Sequence, residues 1–444
     1  MKNHTEVDFY VPIDGETGFT NIVTKYLELS SKEKIKKKIF NIPIEGCLSQ
    51  NESGKLQYNN PGIRIKDLDE VPSPYLSGIL DEFFDGKLSP MIQSNRGCPF
   101  SCTFCTDGSD LVKQVNKFSI DRVKNELEYI AKKVPKNIHS MTISDLNFGM
   151  YPRDLEICQT ISDCQKKYEY PNIIQASTGK NQKEKIINAI KSLNGALRLS
   201  MSVQSMDQEV LENIRRSNIS VDQMLALAPA IEEEKLGTTA EVILGLPGET
   251  YKSHIQTLRD LVKNNLNYVR PYTLMLLHGS EMNTPEQREK WQFKTKFRIL
   301  PKDFVKLSDG KKIIETEEVV ISTSTLNFEE YIDLRLLAFI MFVTNIGLVY
   351  DPLTRFLRER NIDVFDLFYN TLKQKDSAPK EVSQILEKFK QATINELWDS
   401  PEDIEKNYQN DVEFNKLLNG EDGINVLQHY QAVLIFENLE EWTE

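Results

Sequence analysis

Ser94-Asn95-Arg96-Gly97-Cys98-Pro99-Phe100-Ser101-Cys102-Thr103-Phe104-Cys105 sets three cysteines within eight residues. Scattering six cysteines over 444 positions would give this spacing in about one chain in a thousand, so coincidence is a poor account of it. Gaps of three and two residues are a metal-ligand spacing. Three thiolates on one tight loop can take three corners of a [4Fe–4S] cube, which soft sulfur ligands suit, and this is the reading adopted. The competing readings are a structural zinc site and three unrelated buried cysteines. Zinc usually takes four ligands in two spaced pairs, and the chain offers no second Cys-x-x-Cys and no His-x-x-x-His.

Outward from this loop, strand-like and helix-like patterns alternate, which predicts strand–helix–strand units and a parallel sheet. Expected strands are 89–94, delivering the cysteine loop, then 139–144, 172–177, 196–203, 239–244 and 269–277. The intervening helices carry apolar stripes, such as Ile120, Val123, Leu127 and Ile130 behind a Ser119 cap. After Glu281 the pattern changes. Asp309-Gly310 between 304–307 and 311–314 predicts a hairpin, and Asn327 with Glu330 predicts a capping box opening a long helix. The rest of the chain reads as a charged, helical accessory region. The expected organisation is 1–48, a linker at 49–88, a core at 89–285 and an accessory region at 286–444.

Length allows two or three domains with a sizeable core. The balance of 54 Lys and Arg against 66 Asp and Glu argues against a general nucleic-acid binder. The first eight residues lack the apolar segment of a signal peptide. The longest uncharged apolar stretch, 336–350, falls short of the roughly 18 residues of a membrane-spanning helix and reads as a buried helix. Cys158 and Cys164 share one helical pattern and Cys47 stands alone, so neither a disulfide framework nor a second cluster is expected. A reducing, cytoplasmic setting fits both points. The basic run Lys34 to Lys38 reads as a solvated helix face in preference to a nucleic-acid patch.

With Phe104 just before the last cysteine, the motif resembles the signature of radical S-adenosylmethionine (radical SAM) enzymes, over about residues 65–281. The resemblance implies an α/β fold, a partial (β/α)6 TIM-like barrel. It also implies a [4Fe–4S] cluster on Cys98, Cys102 and Cys105, with S-adenosylmethionine chelated by the iron that the protein leaves open. An electron then cleaves the sulfonium, and a 5′-deoxyadenosyl radical abstracts hydrogen from a substrate. A donor such as a flavodoxin or ferredoxin is the implied partner, with no membrane and no nucleic acid.

Residues 1–48, with Asp14-Gly15-Glu16-Thr17, resemble the end of the cobalamin-binding domain found in one branch of the family, and residues 65–74 resemble that branch's connector. An ordinary surface linker explains the connector equally well. The branch's Asp-x-His-x-x-Gly cobalt-ligating motif is absent from the chain. Cobalamin binding by this chain, and methyl transfer by it alone, are therefore not expected. The alternatives kept are a cobalamin-dependent methyltransferase working with a separate cobalamin domain, and a non-catalytic iron–sulfur scaffold.

In such barrels ligands gather at the C-terminal ends of the strands. The resemblance puts Asp145 and Asn147 near the methionine amine, Asp145 accepting from the ammonium, and Phe104 near the adenine, acting through packing and its backbone. Lys180 would meet the methionine carboxylate, a solvated lysine being the other reading. Strand alternation puts Ser202 and Gln204 on one face, suited to ribose hydroxyls or the carboxylate. Gly245-Leu246-Pro247-Gly248-Glu249 resembles the adenine-side turn, although a turn needing glycine at positive φ explains the glycines as well, and Glu249 also reads as a first-turn carboxylate complementing the helix dipole. Tyr272, His278 and Glu281 read equally as structural residues.

Overall fold

The computed structural model describes residues 7–30, 39–51, 53–179, 183–197, 199–217, 238–264, 268–344 and 350–437. The chain divides into two units: Met1–Pro99, Ser109–Phe148 and Pro152–Ser177 form one, while Phe100–Gly108, Gly149–Tyr151 and Thr178–Glu444 form the other. Residues 89–285 thus contribute to both.

In the first unit β1 (Phe9–Tyr10), β2 (Cys47–Gln50) and β3 (Leu56–Asn59) make a small antiparallel sheet in that order, with helix Gly15–Ser30 between β1 and β2. The third strand comes from the expected linker. The rest of that linker lies against the unit: Leu68 is fully buried, Tyr75 donates from its hydroxyl to Met91 O at 2.8 Å, and Ser73 donates to Glu126 at 2.5 Å. The basic run at 34–38 lies outside the described residues.

β4 (Met91–Ile92) leads to β5 (Asn95–Arg96), which pairs antiparallel with β6 (Asn116–Lys117) across the cysteine loop. Helix Ile120–Lys133 follows, its first turn capped by the Ser119 hydroxyl, which accepts from Arg122 N at 3.1 Å, and its buried side carries Val123, Leu127 and Ile130. β7 (Ser140–Phe148) and β8 (Ile173–Thr178) complete a sheet in the order β4-β7-β8, with helix Asp154–Tyr168 between them and β4 parallel to β7. β7 runs four residues past its expected end at Ser144. The reason is visible in its alternation: Met141, Ile143, Asp145 and Asn147 all fall on the buried face, so the apolar stripe continues into polar residues without a break.

In the second unit β9 (Leu199–Gln204), β10 (Thr238–Leu244) and β11 (Tyr268–Thr273) form a parallel sheet in the order β11-β10-β9. The six expected strands therefore exist, three in each unit, in separate sheets rather than in one six-stranded barrel wall among the described residues. β12 (Lys294–Lys306) and β13 (Lys312–Ser322) form the expected hairpin about Asp309-Gly310, longer than the sequence suggested. The Asn327/Glu330 box opens helix Phe328–Thr344, whose residues from Tyr331 onward are buried save Asp333. Six further α-helices follow among the described residues, and Phe339 stacks on Phe389 at 4.4 Å. No described helix is long and apolar enough to cross a membrane.

Candidate cluster and cofactor site

In the first unit the chain entering the cysteine loop is held by Asp145. Its carboxylate accepts from Ser94 N at 2.7 Å, Asn95 N at 3.3 Å and Asn95 Nδ2 at 2.7 Å, and also from the Ser94 hydroxyl. Burial pushes this carboxyl above the usual aspartate range, against the pull of the Ser94 and Asn95 hydrogen bonds. Asp145 thus fixes the chain entering the cysteine loop, a role different from the expected contact with the methionine ammonium. Two residues on, Asn147 donates from Nδ2 to Cys98 Sγ at 3.4 Å, while its buried Oδ1 has no hydrogen-bond partner.

Gly97 has φ +112, and an added Cβ would stand 2.4 Å from Gln114 O and 2.7 Å from Val112 O, so only glycine lets Cys98 N reach Val112 O at 3.0 Å. The N-terminal segment braces the same turn. Asp14 accepts from Arg64 Nε and Ile65 N; Arg64 donates to Leu111 O and Gln114 O; Arg96 donates to Glu16 at 2.6 Å and to Gln93 at 2.7 Å.

In the second unit Cys102, Thr103, Phe104 and Cys105 are held mainly by backbone. Thr103 N donates to Ile214 O at 3.1 Å and Thr103 O accepts from Met282 N at 2.8 Å. Cys105 N donates to Cys102 O and Gly108 N to Cys105 O, and a Cβ on Gly108 would lie 2.2 Å from Cys102 O. Phe104 packs on a cluster that includes Val210, Leu211, Leu246 and Met282. Arg216, 6 % exposed, donates to Cys102 Sγ at 3.8 Å.

Ser202 donates to Glu241 Oε2 at 2.5 Å on the adjacent strand. Simple alternation does not carry through to Gln204. Ser202 pairs with Glu241 and Gln204 with Val242, a bulge that sets two residues of β9 against one of β10. Gln204 has φ +65, Ser205 N closes a three-residue turn on Val203 O at 2.8 Å, and the buried Gln204 Oε1 has no hydrogen-bond partner. Lys180 lies outside the described residues.

The Gly245–Glu249 turn has both glycines at positive φ, +92 and +81. Glu249 is 1 % exposed; its Oε2 accepts from Gly245 N at 2.7 Å and its Oε1 pairs with His254 Nδ1 at 2.8 Å. It braces its own turn instead of facing the helix dipole, and Thr250 caps helix Tyr251–Lys263. Glu281 forms a bidentate pair with Arg215 at 2.6 and 2.8 Å, and Tyr272 and His278 are exposed.

Sequence reasoning missed Arg216 and Glu241. Their only signals were two consecutive arginines after a short helix and a lone carboxylate in an otherwise uncharged strand, both too common to single out. Cys47, Cys158 and Cys164 are buried and outside any disulfide, and burial pushes Cys164 up to about 11.

The residues present fit a cysteine-ligated cluster. N–H donors face two of the three sulfurs, as in iron–sulfur proteins, where such bonds tune the centre. Each unit carries a buried acceptor without a hydrogen-bond partner, Asn147 Oδ1 in the first and Gln204 Oε1 in the second. Among the described residues no three His, Cys, Asp or Glu side chains converge as donors to a single ion.

Residues 92–261 match the family model of the radical SAM superfamily. Those residues form a radical SAM domain. Among the proteins similar to this chain is the 2-(S-pantetheinyl)-carbapenam-3-carboxylate methyltransferase of Streptantibioticus cattleyicolor, 28 % identical over 385 residues, covering 84 % of this chain and 54 % of that protein. The cobalamin-dependent radical SAM methyltransferase TokK of Streptomyces tokunonensis is 30 % identical over 322 residues, covering 70 % and 46 %. The chain spans about half the length of these curated relatives. Among solved structures, the cobalamin-dependent S-adenosylmethionine radical enzyme OxsB matches with a TM-score of 0.51 at 15 % identity, over 97 % of this chain and 68 % of that one, which supports the fold. A [4Fe–4S] cluster and S-adenosylmethionine are the superfamily's cofactors.

Proposed function

We propose that this chain holds a [4Fe–4S] cluster through Cys98, Cys102 and Cys105 and uses it to cleave S-adenosylmethionine reductively, with hydrogen abstraction from a substrate. The observation that carries this reading is the three-cysteine loop with N–H donors turned toward Cys98 and Cys102. When bound, the cluster supplies an electron to the sulfonium and so generates a 5′-deoxyadenosyl radical.

The chain's own residues orient and enclose. Asp145 and Gly97 fix the entry to the loop, and Thr103 fixes its middle through two main-chain bonds. Asn147 in the first unit and Gln204 in the second each offer a buried acceptor to an amine or ribose hydroxyl, Ser202 stands beside Glu241, and Phe104 packs on the apolar cluster around Leu246. We assign residues 89–285 to the radical core, residues 286–444 to an accessory region and residues 1–48 to the tail of a cobalamin-type domain.

A second reading is favoured by one observation: two of the proteins most similar to this chain are named as methyltransferases, one of them cobalamin-dependent. Methyl transfer to carbon would then need cobalamin held by a domain beyond these residues or on another chain, since the cobalt-ligating motif is absent here.

Anaerobic reconstitution with iron and sulfide, then dithionite and S-adenosylmethionine with and without methylcobalamin, tests both. 5′-Deoxyadenosine formed without cobalamin supports the first reading. Formation only with cobalamin, alongside S-adenosylhomocysteine, supports the second. A cluster without cleavage under either condition favours an iron–sulfur scaffold. Cys102→Ala should lose both cluster and cleavage, and normal deoxyadenosine formation by that variant would refute the ligand assignment.

A further inference from the structure

Two consecutive arginines leave helix Gln208–Asn213 in different directions. The helix ends with Arg215 at φ +51, Arg215 N bonded to Glu212 O at 3.0 Å and Arg216 N to Leu211 O at 2.8 Å, a cap usually made with glycine. The reversal sends the Arg215 side chain outward to Glu281 and the Arg216 side chain inward to Cys102.

The same corner grips the cysteine loop by its main chain. Ile214 O takes Thr103 N, Met282 N reaches Thr103 O, and the Arg215–Glu281 pair ties together the two segments supplying those bonds. The position of the Arg216 guanidinium relative to the Cys102 sulfur, 3.8 Å apart, is therefore set by backbone on both sides.

A buried cation is costly unless negative charge faces it. Thiols are neutral, whereas thiolates on a cluster carry negative charge, and a guanidinium keeps its proton at any working pH. Glu241, paired with Ser202, is a further acidic group in this unit near enough to act on Arg216 electrostatically.

We propose that Arg216 is a positioning residue that sets the reduction potential of the cluster: its fixed charge beside Cys102 favours the form that has gained an electron. This rests on the cluster reading given above. Reduction adds one electron and no proton, so the centre gains one unit of negative charge, and a cation in a poorly screened setting stabilises that gain. A neutral residue at 216 would leave the sulfur with a weaker donor and no compensating charge.

The test uses the full chain, reconstituted with iron and sulfide and titrated with dithionite without S-adenosylmethionine, the reduced cluster being followed by EPR in wild type, R216Q and R216K. The expected result is a midpoint shifted to more negative potential in R216Q, with R216K between the two and the iron and sulfide content unchanged. Loss of the cluster from R216Q with retention at near wild-type potential in R216K supports the same conclusion. Equal potentials in wild type and R216Q overturn the proposal. So does an equal shift in R216Q and R216K, or loss of the cluster from both, because each assigns Arg216 to shape rather than charge. A wild-type chain that binds no cluster overturns the underlying reading instead, and this proposal with it.

Discussion

Asp145, inside β7, and Glu249, in the turn after β10, are both carboxylates only 1 % exposed, yet they find their donors at very different ranges. Glu249 closes on Gly245 and His254, four and five residues away in its own turn. Asp145 reaches Ser94 and Asn95, fifty or more residues earlier where the chain passes from β4 into β5. The first is a local brace that the turn would keep in almost any setting. The second makes the entry to the cysteine loop depend on the register of the whole sheet.

Breaking the long-range brace should have the larger effect. Asp145→Ala leaves Ser94 N, Asn95 N and Asn95 Nδ2 buried without their acceptor, at a cost of about 3 kcal/mol, read as a lowered urea midpoint, together with poorer cluster loading. Asp145→Asn separates charge from contact. Burial raises the folded pKa of this carboxyl above its unfolded value, so its contribution to stability is full below the ordinary aspartate value and is lost as pH rises through the folded one. In the cluster-free protein the variant should flatten that part of the curve of melting temperature against pH, and an unchanged slope would show that Asp145 titrates normally.

Glu249→Ala should cost less, about 2 kcal/mol, by leaving Gly245 N–H and the His254 ring without their partner, and the same urea titration reads it. Iron content should stay at the wild-type level, since Glu249 touches no part of the loop. If the two variants lose cluster equally, the contrast between long-range and local bracing fails.

The contrast also explains what the sequence could and could not reveal. Ser119 as a cap, Asn327 with Glu330 as a capping box, and Asp309-Gly310 as a hairpin turn are all decided within four residues, and all form as expected. The cysteine spacing was legible for the same reason. The partner of Asp145 depends on which strand lies beside β7, and the bulge at Gln204 on how β9 registers with β10; neither is written in local periodicity. Arg216 was hidden because its inward direction comes from Arg215 occupying a left-handed position that sequence rules reserve for glycine.

That position supplies the smallest test. Arg215 and Glu281 are an exposed bidentate pair, so Arg215→Ala should cost only about 0.5 kcal/mol, and a double-mutant cycle with Glu281→Ala should return a coupling of that size. Alanine keeps the left-handed strain, whereas Arg215→Gly relieves it, by about 1 kcal/mol, so the glycine variant should be at least as stable as wild type by urea titration even though it loses the pair. A glycine variant less stable than the alanine variant would mean that the arginine side chain, rather than the backbone reversal, holds this corner of the cysteine loop in place.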